Sequence, residues 1–134
     1  MGIHAERAIM TAVDVSADLA VAADPQDLDE MVGNLLDNAW RHARTTVRIE
    51  GRAIDGAVEL AIEDDGPGLS EGAIGEALMP GRRLDERGDG HGFGLSISEE
   101  LAELSGGKLV LASSADMSGL RATLTLPIAP QRQS

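Results

Sequence analysis

Leu28, Met31, Val32, Leu35, Leu36 and Ala39 fall at i, i+3, i+4, i+7, i+8 and i+11, the stripe that an α-helix turns toward a core. Asp24 and Pro25 supply its start: a capping carboxylate, then a proline at the first helical position, where no backbone donor is needed. Asp27 adds an acid to the first turn, and the helix is expected to end near Ala43. Upstream, Val13 to Val15 and Leu19 to Val21 flank Ser16 to Asp18 and predict a small strand, turn, strand. Downstream, Val47 and Ile49, then Val58, Leu60 and Ile62, alternate with polar residues around Asp55-Gly56, which predicts an antiparallel hairpin with one buried face.

From Asp64 to Gly94, glycine recurs at 66, 68, 72, 75, 81, 88, 90, 92 and 94 with few apolar residues between. The segment is therefore expected to supply little core, to be mobile and, at that length, to carry function. Leu95, Ile97, Leu101 and Leu104 predict a second amphipathic helix, stopped by Ser105-Gly106-Gly107. Leu109 and Leu111, then Leu120, Ala122, Leu124 and Leu126, alternate in a final hairpin before a frayed polar tail from Gln131 to Ser134. The sum predicts an α/β fold, a two-layer sandwich of a mixed β-sheet with helices on one face. A Rossmann arrangement is disfavoured, because the glycines do not follow a first parallel strand and no regular βαβ alternation surrounds them.

Composition narrows the function. The chain of 134 residues is long enough for one core and is read as a single domain over 1–134, with the core at about 11–127. With 11 basic and 23 acidic residues the formal charge is −12, which disfavours a sequence-independent nucleic-acid binder. Without cysteine there is no disulfide framework, thiolate zinc site or cysteine nucleophile, which fits a reducing cytosol. No apolar run approaches a membrane span, and Met1 to Met10 lacks the apolar stretch of a secretory signal.

Three constellations carry chemistry. Glu30, Asn34, Asn38 and Arg41, spaced four, four and three, share a helix face beside the apolar one. Asparagine is a mediocre helix former, but its amide oxygen is a neutral ligand for magnesium that leaves room for phosphate oxygens. A solvated face is the plainer alternative, for which glutamate, lysine or arginine would be expected. In Ile62-Glu63-Asp64-Asp65-Gly66-Pro67-Gly68-Leu69, at the end of a predicted strand, an acid precedes two glycines. The backbone there can approach a flat ligand while Asp64 accepts from an exocyclic amine such as that of adenine; an ordinary tight turn would serve the local sequence equally well. In Gly88-Asp89-Gly90-His91-Gly92-Phe93-Gly94-Leu95, alternate glycines run into the second helix and expose backbone N–H groups suited to a phosphate chain, although flexible linkers are also glycine-rich.

Taken in order, Asn34 to Ala39, Asp64 to Gly68 and Gly90 to Leu95 resemble the N, G1 and G2 boxes of the catalytic ATP-binding domain of two-component sensor histidine kinases, within the GHKL superfamily of the Bergerat fold. The resemblance runs from about Thr11 to Pro127. It implies that Asn38 coordinates Mg2+, that Asn34 lies next to the phosphates of ATP, that Arg41 contacts phosphate and that His42 packs on the adenine edge. It gives Asp64 the adenine amine, with Gly66 and Gly68 shaping that pocket. Gly90, His91, Gly92, Phe93, Gly94 and Leu95 then form the lid hinge and the phosphate-facing helix start. Arg83 and Arg87 would close over the terminal phosphate from a lid whose Pro80 to Arg87 stretch most resembles that of PhoQ-type kinases. Leu78 and Met79 stand where the family often has phenylalanines.

Relatives that hydrolyse ATP alone, in the gyrase, MutL and heat-shock-protein branches, carry a basic glutamate four residues before the magnesium asparagine. That position here is Asn34, so little intrinsic ATPase activity is expected, and Glu30 is read as a solvated or salt-bridged residue. The implied reaction is transfer of the γ-phosphoryl group to a histidine nitrogen, and a kinase can rely on positioning and charge neutralisation. His4 lacks the proline that usually follows the family's phosphoacceptor, so the dimerising hairpin domain is read as absent.

The implied partners are the dimerisation and histidine-phosphotransfer domain of a parent kinase and a response regulator, with no nucleic acid and no direct membrane contact. The isolated domain is expected to be monomeric and cytoplasmic, its parent anchored in the bacterial inner membrane. Trp40, the single tryptophan, is assigned to core packing, placed so that its fluorescence reports ligand. Two alternatives remain: a serine protein kinase of the anti-sigma-factor type, distinguished by its acceptor, and a non-catalytic nucleotide-binding regulator, distinguished by a failed phosphotransfer assay.

Overall fold

The computed structural model describes residues 9–16, 19–78 and 94–129. Five strands, β1 (Met10–Val15), β2 (Thr46–Ile54), β3 (Ala57–Asp64), β4 (Lys108–Ser113) and β5 (Leu120–Pro127), form one sheet in the order β1-β2-β3-β5-β4. β1 runs parallel to β2 and every other pairing is antiparallel, so the sheet is mixed. Three helices, α1 (Pro25–His42), α2 (Glu71–Ala77) and α3 (Gly94–Leu104), accompany it.

Each helix and turn has a local cause. Asp24 caps α1, its Oδ1 accepting from the backbone N–H of Gln26 at 2.8 Å and of Asp27 at 3.3 Å, ahead of Pro25. Met31, Leu35 and Ala39 are buried, and Leu28, Val32 and Leu36 pack against the same core, as the stripe requires. Asp55 and Gly56 both take positive φ, 51° and 79°, which gives the β2–β3 hairpin a turn of type I′. Ile62 of β3 and Leu120, Ala122, Leu124 and Leu126 of β5 line the helix side of the sheet.

Helix α3 lies antiparallel to α1 and close to it. A Cβ on Gly94 would be 3.6 Å from the side chain of Asn34, and one turn later the buried Ser98 hydroxyl donates to the Met31 carbonyl at 3.1 Å. Ala102 continues this stripe of small residues, fully buried. The apolar spacing of α3 gave a different face: Leu95 and Leu101 do pack inward, but Leu104 is 82% exposed, and serine and alanine occupy the tight seam instead.

Three further expectations are corrected. Leu19 to Val21 forms no strand; Val21 makes one isolated bridge to Ile128, and β1 pairs with β2 instead. β1 is exposed along its length, because it is the sheet edge beyond the helices. The segment after Asp64 contributes to the core, since Ser70 caps α2 by accepting from the Ala73 N–H at 3.1 Å and Leu69, Ile74 and Leu78 pack inward. Trp40 is 41% exposed, its indole N–H donating to the Thr11 hydroxyl of β1 at 3.1 Å, and so is not a core residue. Among the described residues no helix is long and apolar enough to cross a membrane.

Candidate functional site

The end of β3 turns Asp64 toward the helix side and buries it to 2% exposure. Its Oδ1 accepts from the Gly66 N–H at 2.8 Å and, more distantly, from the Leu120 N–H at 3.5 Å. Among the described residues both donors reach Oδ1 and none reaches Oδ2. Burial pushes the carboxyl above its ordinary range, against the opposing pull of the two backbone donors and of His42. A buried carboxylate in that condition gains from one more N–H donor, which a ligand amine would supply.

Glycines make the floor beside Asp64. A Cβ on Gly66 would stand 2.1 Å from the His42 carbonyl oxygen, so the turn after β3 passes the end of α1 at a distance only glycine permits. Gly68 takes φ +73° and rests against the Gly119 carbonyl. Gly119 itself abuts Asp64: a Cβ there would lie 2.1 Å from the Asp64 carbonyl oxygen and 2.3 Å from Oδ1. Gly119 was not singled out from the sequence; its only signal was its position immediately before the last alternating strand.

Asp65, the next residue, performs a separate task. Its Oδ1 accepts from the backbone N–H groups of Arg44, Thr45 and Thr46 at 2.7, 3.0 and 3.2 Å, and Oδ2 accepts from the Thr45 hydroxyl at 2.7 Å. This fastens the α1–β2 connection to the end of β3. The carboxyl is held far below its ordinary range: burial opposes that, and the bonds from Thr45, Thr46 and Arg44 outweigh it. A depressed carboxylate contributes stability that is complete above the unfolded value, about 3.9, and is lost as pH falls through the folded one. Asp65→Ala is therefore expected to lower unfolding free energy by about 2–3 kcal/mol at neutral pH, with the gap to the parent chain narrowing only below about pH 4. Urea titrations at pH 7 and pH 3 check both parts.

The second wall is the polar face of α1. Asn34 and Asn38 are half-buried one turn apart, while Glu30 and Arg41 are exposed. His42 is also exposed, its Nδ1 2.9 Å from the Asn38 carbonyl oxygen, and its own carbonyl meets Gly66. The third wall is the start of α3 at Gly94, against Asn34, where helix geometry leaves N–H groups without intrahelical acceptors. The Leu95 side chain is buried in the core, so its backbone is what it can offer a ligand. Asn34, Gly94, His42, Gly66, Gly68 and Asp64 are thus brought to one side of the molecule by three elements. Arg83, Arg87, Gly90, His91, Gly92 and Phe93 lie outside the described residues.

Residues 23–130 match the family described as histidine kinase-, DNA gyrase B- and HSP90-like ATPase. The chain is 45% identical over 105 residues to the sensor protein kinase CarS of Pseudomonas aeruginosa, and 30% identical over 112 residues to the sensor protein PhoQ of Escherichia coli. These matches cover 78% and 84% of the chain and 23% of each relative, so the chain spans about a quarter of their length. Among solved structures, the mycobacterial sensor histidine kinase MprB superposes with a TM-score of 0.76 at 27% identity, covering 92% of this chain and 86% of that one. The ATP-binding domain of PrrB from Mycobacterium tuberculosis does so with a TM-score of 0.69 at 27% identity, covering 91% and 82%. The chain therefore belongs to the histidine kinase-, DNA gyrase B- and HSP90-like ATPase family, and within it is similar to sensor kinases.

Proposed function

We propose that this domain binds ATP with Mg2+ in the cleft bounded by the Asn34–Asn38 face of α1, the end of β3 and the start of α3, and donates the γ-phosphoryl group to a histidine on the dimerisation domain of its parent kinase. The observation that carries the reading is the buried Asp64 carboxylate, set among Gly66, Gly68 and Gly119, with Gly66 against the His42 carbonyl at the end of the helix that carries the two asparagines. Asp64 reads the exocyclic amine of adenine, Gly66 and Gly68 admit the flat base, and His42 packs on its edge. Arg41 meets phosphate from the rim.

The donor set suits magnesium. Among the described residues no three His, Cys, Asp or Glu side chains gather to hold a metal. One or two carboxamide oxygens on α1 are what a magnesium ion needs from protein when phosphate oxygens and water complete its shell. Asn38 would hold it, Asn34 would lie beside the phosphates, and the bound ion would neutralise phosphate charge. The Gly94 N-terminus of α3 adds partial positive charge on the same side.

In the reaction, the lone pair of an acceptor imidazole nitrogen attacks the γ-phosphorus, the bond to the β–γ bridging oxygen breaks, and ADP departs. The acceptor ring loses the proton from its other nitrogen to water or to a base on the acceptor domain. No base is required of this domain, consistent with asparagine at position 34. The likeness to CarS and PhoQ, both named sensor proteins, supports a parent sensor; in this proposal that parent is anchored in the bacterial inner membrane, this domain lies on the cytoplasmic side and a response regulator receives the phosphoryl group.

Mixing the chain with Mg-ATP and a separately supplied helical hairpin that bears a phosphoacceptor histidine tests the proposal. Acid-labile phosphate on the hairpin, with ATP hydrolysis near background in its absence, is the expected result. Acid-stable phosphate on a serine of a partner, or no transfer with nucleotide bound, would overturn it.

A further inference from the structure

The open face of the sheet carries a buried charge that the nucleotide cleft does not use directly. Glu63 precedes Asp64 on β3 and points to the opposite side, yet it is 2% exposed. Its Oε1 accepts from Arg48 Nη2 at 2.6 Å and Nε at 3.1 Å, and its Oε2 accepts from the Ser114 hydroxyl at 2.9 Å and faces Arg121 Nη1 at 3.3 Å. Burial raises this carboxyl, but the bonds from Arg48 and Ser114 and the charges of Arg48 and Arg121 together hold it below its ordinary range. Burying a carboxylate is expensive unless every oxygen is met, and a pairing this complete on a sheet's solvent side calls for a task beyond sheet formation.

That task is legible in what Ser114 and Arg48 hold. Ser114 opens the turn between β4 and β5: its hydroxyl accepts from the Met117 N–H at 3.0 Å, its carbonyl from the Ser118 N–H at 3.0 Å, and its N–H donates to the Gly119 carbonyl at 2.8 Å. Arg48 reaches the same turn through Asp116 at 3.1 Å. Ser118 sits at φ +71°, a left-handed conformation rare for a residue with a side chain and one that the surrounding bonds must hold in place. The turn exits through Gly119 and Leu120, the residues that abut Asp64 and direct an N–H at its Oδ1. At 3.5 Å that last bond is long, so a small displacement of the turn changes how the carboxylate is aimed.

We propose that Glu63, acting with Ser114 and Arg48, is a positioning residue for base recognition: it clamps the 114–119 turn to the end of β3 and so sets the direction in which Asp64 presents its carboxylate to adenine. The proposal rests on the reading of Asp64 given above.

Equilibrium titration of the chain with Mg-ATP, Mg-GTP and magnesium tripolyphosphate, for Glu63→Gln, Ser114→Ala and Asp64→Ala, tests it. Glu63→Gln is expected to reduce the ATP-over-GTP preference about 10-fold, Ser114→Ala about 3-fold, and neither is expected to alter tripolyphosphate binding. In the Asp64→Ala background, Glu63→Gln is expected to change the preference no further, since both act through one carboxylate. Ser114→Ala leaves both arginine pairs to Glu63 in place, so it serves if Glu63→Gln fails to fold. If Asp64→Ala abolishes the preference while Glu63→Gln, or Ser114→Ala in its stead, lowers only the urea midpoint, the positioning role is overturned and the Asp64 reading survives. A preference unchanged in Asp64→Ala overturns both.

Discussion

Replacing Asn38 with alanine is expected to reduce phosphoryl transfer by at least about 100-fold while leaving the unfolding free energy within about 0.5 kcal/mol of the parent chain. The two effects separate because of where Asn38 sits. It is half-buried on the polar face of α1, away from the Met31, Leu35 and Ala39 stripe, and alanine is the better helix former. The contact from His42 Nδ1 goes to the Asn38 backbone carbonyl, which the substitution retains. What is lost is the carboxamide oxygen that would face magnesium, and with it charge neutralisation where charge moves during transfer. Transfer to a supplied hairpin domain, Mg-ATP titration and a urea melt measure the three quantities. Unchanged transfer would remove Asn38 from the machinery.

Asp64→Ala is expected to weaken ATP about 100-fold and to erase its preference over GTP. The side chain is 2% exposed, so water cannot stand in for the lost acceptor, and the Gly66 N–H also loses its partner. Folding stability falls less than that loss alone suggests, because burial pushes the Asp64 carboxyl up and its removal relieves that cost. Asp64→Asn refines the test. Its amide oxygen can still take the Gly66 N–H, but its amide nitrogen then points a donor at the adenine amine, so ATP weakens while the carbonyl of guanine becomes the better match. Parallel titrations with the two nucleotides give the ratio directly.

The two strong periodicities were fully readable. The α1 stripe with its Asp24-Pro25 start and the Asp55-Gly56 hairpin rest on local rules that tertiary context did not override. Helix α2 was hidden because Gly72 and Gly75 lower its intrinsic propensity; the cap at Ser70 and the four-residue spacing of Ile74 and Leu78 were the available signals. On α3, counting apolar residues misjudged the face, since a seam tight enough to bring Gly94 to Asn34 needs small residues, not leucine. Trp40 was assigned to the core by its size, but its indole reaches the exposed edge strand β1.

Asn34, Asn38, Asp64, Gly66 and Gly68 could be put forward as candidates because ligand chemistry and close backbone approach would restrict residue type at such positions. Asp65, Gly119 and Glu63 were not, because each acts through a partner far along the chain: the α1–β2 connection, the end of β3, and the turn at Ser114. No local pattern announces such pairings.

Amide chemical shifts followed while Mg-ADP is titrated into the chain test whether the α1 asparagines, Asp64 and the start of α3 border one adenine-nucleotide cleft. Asn34, Asn38, Gly66, Gly68, Leu120 and Gly94 are expected to move together with one dissociation constant, and Mg-GDP at the same concentration to move them far less. Shifts confined to the open sheet face around Glu59 and Thr123, or no shifts at millimolar Mg-ADP, would contradict that arrangement.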